Sequence, residues 1–473
     1  MLMRNNAIIR NPLFWITLTV PFVLFATVPL LPTYDDWGAT PGPNPDPFSW
    51  TLLLPRHSYW RIPENLYGYA IAHYRWLMPW FPHVIVIAGH YVGCCVVFLV
   101  CRELRFSVFA RNIATLFFWI TTGAIATTTA CDGMSQTWVQ ALGMMALYSY
   151  LKRSQNGHSY RWLILIVLAT FVKENALCWG VAIPLIGYVF GVADKRTSIK
   201  SLAYGISFAL LYTVVHFIVP TAENYVLNES YFDFSVLRFL RGLALLMTFT
   251  WLPLDYTHLL HAPHRNILCV AFSAIASLPF ILLLFGRQVA RFRDVKAMGL
   301  ILAFFVIVSP HLLTIFSLMH GYASLGVAAL IVGYFVECSK VGRRHLSIAF
   351  AAFALTSVIV NAEHCWAAYE SGFMGKRLSL EAVNGVRKPV EKAFLLSVYR
   401  GETRYSNFYV LPLETFDYGN GILWENEYKW PKTIDCDEVE AETFNMQEKV
   451  DSLLRLGYDC VWVLDKDHIV TYQ

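Results

Sequence analysis

The residues best placed to do chemistry are two adjacent acids, Asp35 and Asp36, in Thr33-Tyr34-Asp35-Asp36-Trp37. They follow an apolar run from about Leu13 to Pro32. That run is long enough to cross a bilayer, which takes about 20 residues. Charges at a membrane border are usually basic, because Lys and Arg carry their charge outward on long stems and Asp cannot. Two readings follow. The pair simply opens a loop into water, or it is a base held over the membrane surface. Further ionisable residues sit in short polar breaks between apolar runs: Asp132 in Ala130-Cys131-Asp132-Gly133, and Lys173 and Glu174 in Lys173-Glu174-Asn175. Each has a plain alternative, Asp132 as a helix cap beside Gly133 and Lys173-Glu174 as a polar turn.

The elements that must position these residues are membrane helices. Of 473 residues, 56% are hydrophobic and only 15% charged, against about 25% charged in an average soluble domain. The mean hydropathy is +0.46. The apolar runs are continuous rather than alternating, which excludes a β-barrel and predicts an all-α polytopic membrane protein. Runs near residues 13–32, 82–101, 112–129, 134–151, 162–172, 175–193, 201–219, 265–286, 298–318, 321–337 and 346–362 predict about eleven transmembrane helices. No cleavage pattern follows the first run, so it is expected to stay as a helix. The net charge of +4 is mild. No basic tract with interleaved aromatics suggests nucleic-acid binding. The ten cysteines are scattered, mostly inside apolar runs and without metal spacing, and read as buried small residues.

Orientation follows from the basic residues. With the N-terminus in the cytoplasm, Arg102, Arg105 and Arg111, Lys152, Arg153 and Arg161, Lys195, Arg196 and Lys200, Arg287 to Lys296, and Lys340, Arg343 and Arg344 all fall on the cytoplasmic side. This holds if residues 237–256, which begin as an amphipathic stretch, lie along the interface rather than cross. The C-terminus is then outside. Asp35-Asp36, Asp132 and Lys173-Glu174 all fall on that outer face. The long outer loops are 33–81 and 220–264. In the first, the Tyr- and Trp-rich stretch from Asn65 to Trp80 reads as a helix for the headgroup layer, framing a lateral entrance or merely anchoring the loop.

After residue 362 the chain turns polar. Asn407 to Leu411 and Cys460 to Leu464 read as strands, and Gln447 to Arg455 as a helix closed by Gly457. Residues 1–362 are therefore expected to form the transmembrane domain, and residues 363–473 a small α/β extracytoplasmic domain. His258, His261 and His264 have a regular spacing suggesting metal, although Pro263 interrupts a helix there. Asn228-Glu229-Ser230 matches a glycosylation acceptor pattern, relevant only in a eukaryotic host. His320 and Tyr322 open the tenth run on the outer face, where they line a cavity or pack.

This layout resembles the GT-C superfamily of membrane glycosyltransferases, which includes the protein O-mannosyltransferases and the aminoarabinose transferases of lipid A. The matching features are the acid pair after the first helix, a helical first outer loop, an acid in the second outer turn, the Lys-Glu turn between two short runs, and an outer C-terminal domain. The resemblance covers roughly residues 1–362. The pair is Asp-Asp here, where the mannosyltransferases have Asp-Glu.

The resemblance implies inverting transfer of a sugar from a polyprenyl-phosphate carrier to a glycan or glycolipid acceptor outside the membrane. A bacterial envelope glycan such as lipopolysaccharide O-antigen is the preferred acceptor, with the enzyme in the inner membrane and its site facing the periplasm. Asp35 or Asp36 would take the proton from the acceptor hydroxyl. Lys173, with Arg56, Arg61 or Arg75, would meet the charge of the departing lipid phosphate. Glu174 would orient Lys173 or bind sugar. Asp132, His320 and Tyr322 would bind substrate, and a divalent metal beside Asp132 stays open. The alternative is a transporter or flippase of lipid-linked glycans, which would favour ionisable residues at mid-membrane and an internal repeat.

Overall fold

The computed structural model describes residues 11–32, 48, 50–55, 60–153, 160–219, 235–254, 263–314, 317–399, 413, 418–427, 429–440, 445–465 and 468–473. Asp35, Asp36, Arg56, His258, His261, the Asn228 triplet and the strand expected at Asn407–Leu411 lie outside them. The side chain of His264 does too.

Helices occupy the runs expected from the sequence. The first is α1 (Pro12–Thr27), started by the Asn11 side chain, which accepts from the Leu13 amide at 3.0 Å, and by Pro12 in the first turn. In the outer loop follows α2 (Ile62–His73). The bundle continues with α3 (Trp80–Glu103), α4 (Val108–Ile120), α5 (Met134–Arg153), α6 (Arg161–Val172), α7 (Trp179–Val189) and α8 (Lys195–Ile218). Then come α9 (Val236–Trp251), α10 (Pro263–Leu284), α11 (Val295–Val308), α12 (Leu325–Glu337) and α13 (Arg343–Gly385).

Among the described residues five helices are long and apolar enough to cross a membrane, or six if Val108–Ile120 and Thr122–Thr128 are one span bent by 46°. That makes the chain an integral membrane protein by helix length and composition. The count of long spans is smaller than the eleven runs suggest, for two visible reasons. Short breaks divide several runs, so Arg161–Val172 and Glu174–Val189 are short apolar helices. And α5 carries buried Ser135, Gln136, Thr137 and Gln140 among its apolar residues.

Helix α12 is the axis of the bundle. Every residue from Leu325 to Val336 is buried, and α4, α11, α3 and α5 pack around it. By contrast α8 is peripheral and exposes Leu210, Leu211, Phe217 and Ile218. A span apolar on its outer face has lipid as its neighbour there. Helices α7 and α8 approach closely enough that a Cβ on Gly205 would stand 2.3 Å from the Gly180 carbonyl oxygen.

The bundle has two chemically distinct ends. At one, the Ser107 amide donates to Glu337 at 2.7 Å, Arg343 lies 5.9 Å over the ring of Phe109, and Lys296 lies 5.5 Å over that of Phe190. These belong to the basic connections expected in the cytoplasm. The outer-loop elements gather at the opposite end. There the Tyr67 hydroxyl donates to the Cys131 carbonyl at 2.8 Å, and Asn361 to that of Ile120 at 2.9 Å. Helix α9 lies at this end too. It buries Gly242, Leu246, Phe249 and Thr250 and exposes Val236, Leu237 and Leu240.

Helix α13 passes residue 362 without a break and ends only at Gly385. At 1.5 Å per residue its 43 residues span about 64 Å, twice the hydrocarbon thickness. Its C-terminal turns form one wall of the outer module. That module contains β1 (Lys392–Tyr399), α14 (Asn420–Glu425), β2 (Thr433–Glu440), α15 (Met446–Arg455), β3 (Cys460–Asp465) and β4 (His468–Tyr472). The sheet order is β2-β1-β3-β4, with β1 parallel to β2 and β3, and β4 antiparallel to β3. Alternation along β1 and β3 sends Leu395, Trp462 and Leu464 toward Leu378 and Ala382 of α13. It sends Phe394, Leu396, Val461 and Val463 toward Val450 and Leu453 of α15. The Trp462 indole donates to the Ala382 carbonyl at 3.1 Å, fixing sheet to helix.

Candidate active site opposite the basic end of the bundle

Two breaks in helices bring ionisable side chains to this end. Helix α6 stops at Lys173, whose backbone is extended, and a 3-10 segment runs from Glu174 to Cys178 before α7. The break puts Lys173 and Glu174 at the helix ends instead of on a lipid-facing side. The second break is the one-turn segment Cys131–Gly133 that carries Asp132. A Cβ on Gly133 would stand 2.0 Å from the Thr127 carbonyl oxygen, so this tight reversal fits glycine alone.

The first outer loop closes over both breaks. The Arg61 guanidinium Nε donates to Glu174 Oε2 at 3.1 Å, and the Trp60 amide to Glu174 Oε1 at 3.1 Å. Arg61 Nη1 also reaches Glu64 Oε1 at 3.3 Å, and Glu64 sits in the first turn of α2, where an acid suits the helix dipole. Glu174 therefore fastens the loop to the turn. The Trp60 ring meets Phe171 edge-on at 5.1 Å, an apolar floor under the pair.

Asp132, Lys173, Glu64 and Arg61 act on one another electrostatically. Asp132 is half-buried, with one carboxylate oxygen shielded from solvent. Burial pushes its pKa up to about 6, with Lys173 pulling the other way. Burial pushes Lys173 down to about 8, and the nearby Arg61 guanidinium adds to the fall. Two segments beyond α11 complete the cluster. His311 and His320 stack with centroids 4.4 Å apart, and Asn175 lies 3.1 Å from His311 Nε2.

Of the residues expected from the sequence, Lys173, Glu174, Arg61, Asp132 and His320 come together here. Tyr322 does not. It is fully buried, with its hydroxyl 2.8 Å from His90 Nδ1, and packs in the interior because the turn of chain after His320 points it inward. Arg75 also stands apart. Its guanidinium lies 4.4 Å over the Trp424 ring, bonds the Trp424 carbonyl, and sits 3.9 Å from Glu427, so the outer module draws it away from Lys173. Asp35, Asp36 and Arg56 belong to undescribed stretches of the same loop. Sequence reasoning passed over Glu64 and His311. Glu64 had a signal, its i,i+3 spacing from Arg61. His311 lay inside a run read as a plain span. Among the described residues no three His, Cys, Asp or Glu side chains converge as a metal set.

No family model matches the chain, and no curated protein does. Among solved structures it is similar to the crystal structure of an oligosaccharyltransferase from Archaeoglobus fulgidus in complex with Zn and sulfate. The identity is 11% and the TM-score 0.47, over 94% of this chain and 67% of that one. At that TM-score the likeness decides nothing about fold or activity.

Proposed function

We propose that the protein is a GT-C type glycosyltransferase that moves a sugar from a polyprenyl-phosphate carrier to an acceptor glycan outside the membrane, with inversion. The observation that carries this reading is the meeting of Arg61, Glu64, Asp132, Lys173 and Glu174 from three distant outer segments at one end of an apolar bundle. The stretch holding Asp35 and Asp36 continues directly from α1, whose C-terminal end lies at the same end.

The chemistry assigns each group a task. An acceptor hydroxyl attacks the anomeric carbon and loses its proton to Asp35 or Asp36. The carbon–oxygen bond to the lipid phosphate breaks, and the phosphate keeps the electron pair. Lys173 and Arg61 meet that growing charge. Glu174 holds Arg61 in place and is not itself a base. Asp132 keeps Lys173 oriented or takes a sugar hydroxyl. The acceptor we favour is an envelope glycan such as lipopolysaccharide O-antigen, with the protein in a bacterial inner membrane and this end facing the periplasm.

The test is incubation of purified protein with radiolabelled polyprenyl-phosphate sugars and acceptor glycans. Label in the acceptor, with the anomeric configuration inverted, is the expected result. Label carried across vesicle membranes with its phosphate bond intact would replace this reading with transport. Asp35→Asn and Asp36→Asn then separate base from helper: the essential one loses at least about 10²-fold in rate. Full activity in the double variant removes both acids from the chemistry.

A further inference from the structure

A cavity of about 450 Å³ lies where the outer module meets the bundle. One side is the segment after α1, where Leu31 packs so tightly on α13 that a Cβ at Gly372 would stand 2.6 Å from the Leu31 carbonyl oxygen. Opposite are Arg75 and Trp76 of the first loop, Lys376 of α13, and Trp424, Glu425 and Glu427 of the module. Trp424 is buried against Tyr67, Ile71 and Met134, so the wall it forms is fixed to the first loop and to α5. Trp76, in contrast, is 68% exposed.

Three features limit what fits. The cations Arg75 and Lys376 are matched by the carboxylates Glu425 and Glu427, so a free anion gains little there. Four charged groups on the walls disfavour an acyl chain. What remains is a neutral, hydroxyl-rich molecule with one apolar face. Carboxylates accept from hydroxyls, guanidinium and ammonium groups donate to them, and a flat indole packs against the C–H face of a sugar ring. The volume is within the ordinary range for small-molecule sites, roughly 300–1,000 Å³. We propose that this cavity is a subsite for a neutral mono- or disaccharide unit of the acceptor glycan, held against Leu31 and Pro32. The proposal rests on the glycosyl-transfer reading above and names where that reaction's second substrate docks. Burial raises the Glu425 pKa while Lys376 and Arg75 oppose it, consistent with a carboxylate kept dry for hydrogen bonding.

The experiment is saturation-transfer NMR on full-length protein in nanodiscs, without donor, using neutral methyl hexopyranosides and their disaccharides. Contact with indole protons is expected for at least one sugar. Trp76→Ala, at an exposed position that leaves folding intact, and Glu425→Gln should each weaken it at least tenfold. No sugar binding to the unaltered protein, or binding unchanged in both variants, overturns the proposal. So does inorganic phosphate binding with the same dependence on Trp76 and Glu425, because that makes the cavity an anion site. The two readings fail separately. A protein that binds sugar here but never transfers one keeps the subsite and loses the enzyme. An active transferase whose acceptor KM is unmoved by Trp76→Ala keeps the enzyme and loses the subsite.

Discussion

At the scale of residues, Lys173 is the most exacting test. If it holds the lipid phosphate, Lys173→Ala weakens donor binding and slows transfer together, because the phosphate gains charge as the sugar leaves. Lys173→Arg keeps part of the function, since the charge survives but a planar fork replaces a compact ammonium. The acceptor KM changes much less in both. Unchanged donor kinetics in Lys173→Ala would leave it a turn residue. The two shifted groups also set a pH window. With Asp132 near 6 and Lys173 near 8, the carboxylate–ammonium combination is populated between them, and kcat/KM should rise near 6 and fall near 8. Stability carries the opposite sign for Asp132. A carboxyl whose folded pKa is raised binds more protons folded than unfolded, so it stabilises the fold at low pH and loses that contribution as pH climbs from about 4 toward 6. Thermal unfolding of Asp132→Asn should lack that decline, and a variant with the same pH slope as the parent would contradict the assignment. Lys173 and Glu174 were legible in the sequence because a charged dipeptide inside an apolar run has few explanations. Arg75 was legible only as a cation, since its partner Trp424 is about 350 residues away and no local pattern joins them.

At the scale of elements, the breaks matter more than the helices. Helix existence followed from apolar runs, but those runs do not say where a helix yields to a 3-10 turn. That is why α4 bends near Thr121, and why the His311 segment hid inside an expected span. The turn at Asp132 is the sharpest case. Gly133→Ala places a methyl group against the Thr127 carbonyl, and relieving the clash means moving Asp132. We expect a loss of about 1–3 kcal/mol, the usual range for overpacking, seen as a lower unfolding temperature and a donor KM raised along with it. A variant of parental stability and donor KM would mean the turn opens without strain. Helix α9 poses a separate question. With cysteines placed at Arg238 and Pro253, membrane-impermeant reagents added outside should label both, as expected of a helix along the interface. Labelling of the two from opposite sides would make it a span.

For the whole molecule, the polarity of the bundle is built into its two ends, one basic and one holding the site. The Lys/Arg bias expects the basic end to face the cytoplasm. A reporter active only in the cytoplasm, fused after Gln473, should be silent, and activity there would invert the orientation. The outer module was partly legible. Its β3 and α15 matched the apolar run at Cys460 and the helix before Gly457, while β1, β2 and β4 were missed. Strand β1, Lys392–Tyr399, is covered on both faces and so shows no apolar–polar alternation, while β2, Thr433–Glu440, is rich in acids. The composition changes after residue 362, but α13 runs on across that point and ends only at Gly385.

That unbroken helix makes the module's attachment angular as well as vertical. Each residue of an α-helix turns the chain by about 100° and lifts it about 1.5 Å. One residue inserted after Ala367 would therefore swing Trp424 about a quarter-turn from Arg75 while barely changing the module's height. Seven would bring the face back nearly in phase, but about 10 Å higher. The bundle and the module are keyed like two gears on one shaft, and a length change in α13 acts as a change of phase.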